Sequence, residues 1–186
     1  MIMLLIMGAM YKLIAFGVFY VRESNARLEV QQNLLHALHR LSSEIRETNV
    51  QTVRTDTNSV LFADPRDNNE FFRFDDKSRI YWHRFLCFSI EPSADTTALV
   101  RKNLPLSAPQ ITPPIPEEFP GATIASMRTD TALETKTLGR GIETMEITVG
   151  TDTIDIKLIA KVDLRKSADP TDDFIAEAQD RIKPSH

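Results

Sequence analysis

No proline occurs in this chain before Pro65, and within the stretch this leaves open the hydrophobic pattern changes once. Residues 1–21 carry a single charge, Lys12, among Met, Ile, Leu, Phe, Val, Ala, Gly and Tyr. From Arg22 to Asn49 charges enter: Arg22, Glu23, Arg27, Glu29, Arg40, Glu44, Arg46 and Glu47. Over the same residues Leu34, Leu38, Leu41 and Ile45 recur at helical spacing, with Leu28 earlier and Leu35 beside them. Such spacing draws one apolar stripe along a helix. Proline is what most strongly breaks a helix interior. Residues 2–48 can therefore run as one helix, about 70 Å long at ~1.5 Å per residue.

An apolar half that continues into an amphipathic half predicts a membrane anchor that becomes the spine of a folded domain. A helix needs ~17–25 apolar residues to cross the hydrocarbon. If residues 1–21 are the span, Lys12 lies near the bilayer centre, at a cost of roughly 2.5–3.5 kcal/mol. Only eleven residues precede Lys12, too few to span. Either Lys12 faces a partner helix, or about ten further apolar residues belong upstream and Lys12 snorkels at an interface. The second is the expectation carried forward.

The remaining length suits one ordinary domain. The formal charge is −4, and leaving out residues 1–21 gives 21 positive and 26 negative groups. That balance excludes a strongly basic nucleic-acid surface. The single cysteine, Cys87, has no partner for an internal disulfide and reads as a small buried hydrophobe within an apolar strand. No basic n-region or small-residue cleavage site marks a secretory signal.

Beyond Asn49 the period shortens to two. Residues 60–63 form a short apolar run closed by Asp64-Pro65-Arg66-Asp67, and residues 70–74 form a second run closed by Asp75-Asp76-Lys77-Ser78. Residues 79–90 are the strongest strand. Ile80, Trp82, Leu86, Phe88 and Ile90 fall on one face, interrupted by Arg84, and Tyr81, His83, Phe85 and Cys87 fall on the other. Apolar groups on both faces predict a central strand. With a turn at residues 91–95 and a return strand over 97–104, residues 79–102 read as a hairpin. Six prolines between Leu104 and Pro120 predict an extended loop. Residues 123–127 read as a weak strand and residues 130–137 as loop or a helical turn. Alternation at Met145, Ile147 and Val149, a turn at Gly150-Thr151-Asp152, and alternation from Ile154 to Leu164 predict a second hairpin. Thr153, Asp155, Lys157, Lys161 and Asp163 point to its wet face. In the tail, Asp169 as N-cap, Pro170 at the first helical position, and Arg181 and Lys183 near the end predict a short helix over residues 170–182.

No catalytic constellation emerges, so the chain reads as non-enzymatic, with no catalytic, cofactor or metal residues assigned. His36 and His39 stand three apart on the spine but lack a third ligand, and they read as polar positions flanking the leucine stripe. Asp64, Asp67, Asp75 and Asp76 have the composition of a calcium loop, but Arg66, Arg73 and Lys77 interleave them, so structural turns are expected. His83 and Cys87 would be about 13 Å apart along a strand, beyond hydrogen-bond reach. Gly139-Arg140-Gly141 is too short for a phosphate loop.

The order of parts resembles type IV pilin-like proteins, particularly the minor pseudopilins and related prepilin-type proteins of bacteria. The resemblance is carried by residues 27–35 and 38–47, where the spine leaves its apolar half, and by residues 59–67, 85–92, 98–102 and 141–164. It implies an α+β fold in which a long N-terminal helix packs on an antiparallel sheet. It further implies three segments: an anchor and spine over residues 1–49, an extracytoplasmic β-rich domain over 50–168, and a tail over 169–186. By this resemblance the chain would be a structural subunit of a type IV pilus or a type II secretion pseudopilus. Its partners would be other pilin or pseudopilin subunits, an inner-membrane assembly platform and the lipid bilayer, with no nucleic acid. Its location would be the bacterial inner membrane as a single-pass protein. The family's basic leader, ending in Gly and followed by a fifth-position Glu, has no counterpart here, and the expectation is a reading frame that starts upstream of Met1. The competing reading is a single-pass anchored protein whose outer domain binds a ligand.

Overall fold

The computed structural model describes residues 2–93, 96–163 and 173–184. The proline-free stretch is one helix, α1 (Ile2–Arg46), close to the expected length. After it come β1 (Arg54–Asp56), β2 (Ser59–Asp64), β3 (Trp82–Ser93), β4 (Thr96–Gln110), α2 (Ile124–Thr129), β5 (Glu134–Arg140), β6 (Ile142–Val149), β7 (Ile154–Asp163) and β8 (Asp173–Ile182). The fold is α+β: a long N-terminal helix packed on antiparallel sheet. The strands form two sheets, a five-stranded one in the order β1-β2-β3-β4-β5 and a three-stranded one in the order β6-β7-β8.

Both expected hairpins form. β3 pairs with β4 from Ser93↔Thr96 to Arg84↔Pro105, and β6 pairs with β7 from Val149↔Ile154 to Ile142↔Ala160. β3 is the middle strand of its sheet and is buried on both faces, as its two apolar faces require. On one side Val60, Phe62, Leu86 and Phe88 join the core that receives the helix stripe Val30, Leu34, Ala37, Leu38, Leu41 and Ile45. On the other, Leu61, Ala63, Phe85 and Cys87 pack with Ala122 and Met127. Trp82 departs from simple alternation. A register shift between Trp82 and Arg84 turns its indole to the face of Phe85 and Cys87. There two residues of β3 stand against five of β4, so the regular alternation of the ladder is broken between them.

The Gly139-Arg140-Gly141 step has a structural task. A Cβ on Gly139 would lie 3.1 Å from the Asn33 carbonyl oxygen and 3.2 Å from the Ala37 Cβ, so β5 meets α1 at a point with room only for hydrogen. Gly141, at φ +75°, then turns the chain out of the first sheet into the second. Asn58 also has positive φ, and its Oδ1 accepts from the Met145 N–H at 2.9 Å, tying the β1–β2 turn to β6.

Five expectations need correction. Residues 173–182 form a strand, not a helix: β8 pairs with β7 along its length, and Ala176 and Ile182 enter the core with Phe174 and Ala178 packed against it. A period of two carried by small residues is weaker on the page than helix-cap composition, and the neighbouring strand decided the outcome. The cap residues Asp169 and Pro170 lie outside the described residues. Residues 124–129 are helical because Thr123 Oγ1 accepts from the Ser126 N–H and Met127 is drawn into the second core. Residues 134–140 form an edge strand on β4. The first part of the proline-rich segment is strand rather than loop. β5 covers β4 only as far as Asn103, so beyond it one side of β4 is an open edge that tolerates proline, while Pro105 still stands opposite Arg84 of β3 on the other.

The fifth correction concerns the membrane. No helix among the described residues is long and apolar enough to cross one. Lys12 interrupts the apolar stretch, and Arg22 and Glu23 close it. The expected single-pass inner-membrane anchor therefore does not stand. The anchored ligand-binding alternative loses its anchor by the same finding.

Candidate functional site

Two features of α1 stand out, one at each end. The first is its N-terminal half. Every residue from 6 to 22 is exposed, and the apolar ones lie all round the helix: Tyr11 is 75% exposed, Leu13 71% and Phe16 70%. A helix apolar on all sides is stable only when something covers it. The three strands that α1 touches most, β5, β7 and β8, take the other half, where burial begins at Val30. Gly8 and Gly17 have nothing within 4 Å of where a Cβ would stand, so small residues face open space along this segment.

The second feature is an ionic cluster where α1 meets the five-stranded sheet. Arg84, 2% exposed, donates from Nε to Asp64 Oδ2 at 2.7 Å, and the Asp64 side chain is itself 1% exposed. Arg84 also lies 3.1 Å from Glu70, which accepts from Arg101 Nη2 at 3.0 Å. Arg101 Nη1 donates to the buried Glu44 of α1 at 3.1 Å. Arg40 lies 2.6 Å from Glu44, and Arg66 pairs with Glu47. Four arginines and four carboxylates from the helix, three strands' worth of sheet and one loop thus neutralise one another. Burial pushes the Glu44 carboxyl up, against the opposing pull of Arg101 and Arg40, and its Oε2 has no donor. Burial likewise raises Asp64, against the charge of Arg84. Glu70 is less enclosed. Burial raises it, but the Arg101 hydrogen bond and the charges of Arg84 and Arg101 win and hold it at about 2. The matched charges weld the helix to the sheet, although Glu44 Oε2, Glu47 Oε2 and Arg84 Nη2 are left without a hydrogen-bond partner.

Glu70 reaches the cluster through an unusual turn. Asp67 Oδ1 accepts from the N–H groups of Asn69 and Phe71, and Asp67 Oδ2 accepts from Arg73 Nε. The pattern repeats eight residues later. Asp75 Oδ1 accepts from Lys77 and Arg79, and Asp75 Oδ2 from Arg79 Nε. Glu70 and Ser78 take equivalent left-handed positions, at φ +64° and +59°. In the first turn that conformation aims a carboxylate at the buried arginines. The acidic residues Asp64, Asp67 and Asp75 are accordingly spent on an ion pair and two turn caps rather than gathered on a cation.

His36 and His39 are both exposed on α1, and no group of three or more potential metal ligands exists among the described residues. Cys87 is buried, and burial pushes its thiol up to about 12, which suits packing rather than chemistry. The clefts are open and shallow. One of about 560 Å³ lies on the outer face of β6–β8, where Asp155 pairs with Arg181 and Lys157 with Glu177, so its charges are already matched. Sequence reasoning missed the ionic cluster, although Arg84 interrupting an apolar face was its visible sign.

No known family, curated protein or solved structure matches this chain.

Proposed function

We propose that this protein is a structural subunit of a filament of the type IV pilus or type II secretion pseudopilus kind, held to neighbouring subunits by its N-terminal helix. The observation that carries the reading is the apolar, exposed run of residues 6–21, continuous with a helix whose other half is fixed to a folded domain. Water is a poor solvent for that surface, at roughly 25 cal/mol per Å². Equivalent helices from other copies would cover it with matching apolar chemistry, and Gly8, Ala9, Ala15 and Gly17 permit close approach of backbones. The domain then decorates the assembly from outside, and the ionic cluster holds helix and domain in one orientation.

The test compares the full chain with a chain beginning at Arg22, by light scattering and electron microscopy. The full chain should form extended assemblies, and the shortened one should be a folded monomer. A full chain that stays monomeric at all concentrations, with its apolar helix in water, would refute the proposal.

A further inference from the structure

Residues 65–81, between β2 and β3, form a meander of three short extended segments. Arg66 bridges to Phe72 and Phe74 to Ile80, and the Tyr81 N–H donates to the Arg73 carbonyl at 2.9 Å. The caps on Asp67 and Asp75 fix the two reversals. Arg66, itself part of the ionic cluster, lies 5.6 Å from the centroid of the Phe72 ring and holds it in place. Phe71, Phe72 and Phe74 are all exposed nonetheless. Phe72, Phe74, Ser78 and Ile80 line an open cleft of about 380 Å³, near the lower end of the ~300–1,000 Å³ of ligand sites.

The charges of the meander are sorted by direction. Asp67 and Asp75 turn inward to their caps, with side chains 13% and 9% exposed, while the arginines paired with them, Arg73 and Arg79, turn outward at 58% and 53%. Lys77 is exposed and has no ion pair among the described residues. Against these cations stand the exposed Asp76 and Glu70, and Glu70 is already taken up by Arg84 and Arg101. Lys77 and Arg79 flank Ser78 of the cleft in the chain, and Arg73 stands between its two phenylalanines. An apolar cleft is thus bordered by charges that present mainly their positive members to solvent.

We infer that this cleft docks an acidic polypeptide segment, one large aliphatic or aromatic side chain entering between Phe72, Phe74 and Ile80 while carboxylates on either side of it meet Lys77 and Arg79. The charge of the border selects the acids. The shape selects an inserted side chain: Phe72 and Phe74 are walls of a concavity, whereas a bilayer surface would call for rings standing proud of it. The middle segment is bridged on both sides, to Arg66 and to Ile80, so a partner reads side chains there and does not add a strand. Glu70 ties the first turn to Arg84 and Arg101, so the cleft is built before a partner arrives and little ordering is left to oppose binding. The inference is independent of the filament reading. The meander meets α1 near Arg40 and Glu47, and Ile14, amid the exposed apolar run, lies about 45 Å from Glu44 along the helix at ~1.5 Å per residue. Copies that cover the apolar run leave the cleft open.

The experiment titrates the full chain into a fluorescently labelled peptide, one leucine between two pairs of glutamates, and follows anisotropy. Binding should weaken about fivefold or more with F74A, with K77E, and when alanine replaces the leucine of the peptide. It should weaken further as salt rises, and the same peptide with lysines for its glutamates should not bind. Phe74 and Lys77 are exposed, so domain melting should be the same in both variants as in the unaltered chain. No saturable binding of the acidic peptide, equal binding of the lysine peptide, or binding that F74A and K77E both leave unchanged would overturn the proposal. Flotation of the chain with phosphatidylglycerol vesicles but not phosphatidylcholine vesicles, abolished by F74A, would overturn it in favour of a lipid surface.

Discussion

Replacing Asp64 by leucine tests the ionic cluster at its deepest point. Arg84 and Asp64 are both essentially sealed from solvent, and the bond between them is 2.7 Å. Removing one partner of a buried pair costs about 3–5 kcal/mol, because it leaves an uncompensated charge. Here the lower part of that range applies. Glu70 stays 3.1 Å from Arg84 and can take up part of the charge, but its carboxylate is already shared with Arg101 and partly exposed. A loss of about 3 kcal/mol is therefore expected. Urea unfolding of the chain from Arg22 onward, followed by tryptophan fluorescence, would read it directly, since the only tryptophan, Trp82, is buried two residues from Arg84. The double variant D64L/R84M removes both charges and should recover most or all of the loss, because an apolar pair of similar size avoids the desolvation penalty. A single-variant loss below about 1 kcal/mol, or a double variant no better than the single, would refute the view that the pair is fully desolvated and mutually dependent.

Two further outcomes follow from the same packing. Glu70 has its carboxyl lowered from 4.5 to about 2, so the unfolded chain binds the extra proton. Its contribution is complete above about pH 4.5 and is lost as pH falls toward 2; melting curves should show a stability decline across that window that E70Q lacks, and parallel declines would contradict it. At the meeting of β5 with α1, G139A should cost about 1–3 kcal/mol by pushing the strand off Asn33 and Ala37, and an unchanged denaturation midpoint would show that the two elements separate freely.

Some of this architecture is written locally and some is not. The long helix was legible because its cause is local: no proline, and a stripe whose period needs no knowledge of what it packs against. The two hairpins were legible for a similar reason, since strong alternation on either side of a turn favours pairing of near neighbours. β8 was not, because Phe174, Ala176, Ala178 and Ile182 form a weak alternating pattern that becomes decisive only when β7 offers an unpaired edge. The face chosen by Trp82 was hidden for the same kind of reason, since the irregular pairing between Trp82 and Arg84 exists only once β4 lies alongside. The ionic cluster is the clearest case. Glu44, Asp64, Glu70, Arg84 and Arg101 are scattered over the sequence, and all but Arg84, which interrupts an apolar strand, look like ordinary surface charges where they stand. Only when α1 is laid across β2, β3 and β4 do they meet out of water, where a charge must be answered by another. The sequence by itself determined that one end of the helix is apolar on every side; the tertiary structure decided that the domain covers only the other end.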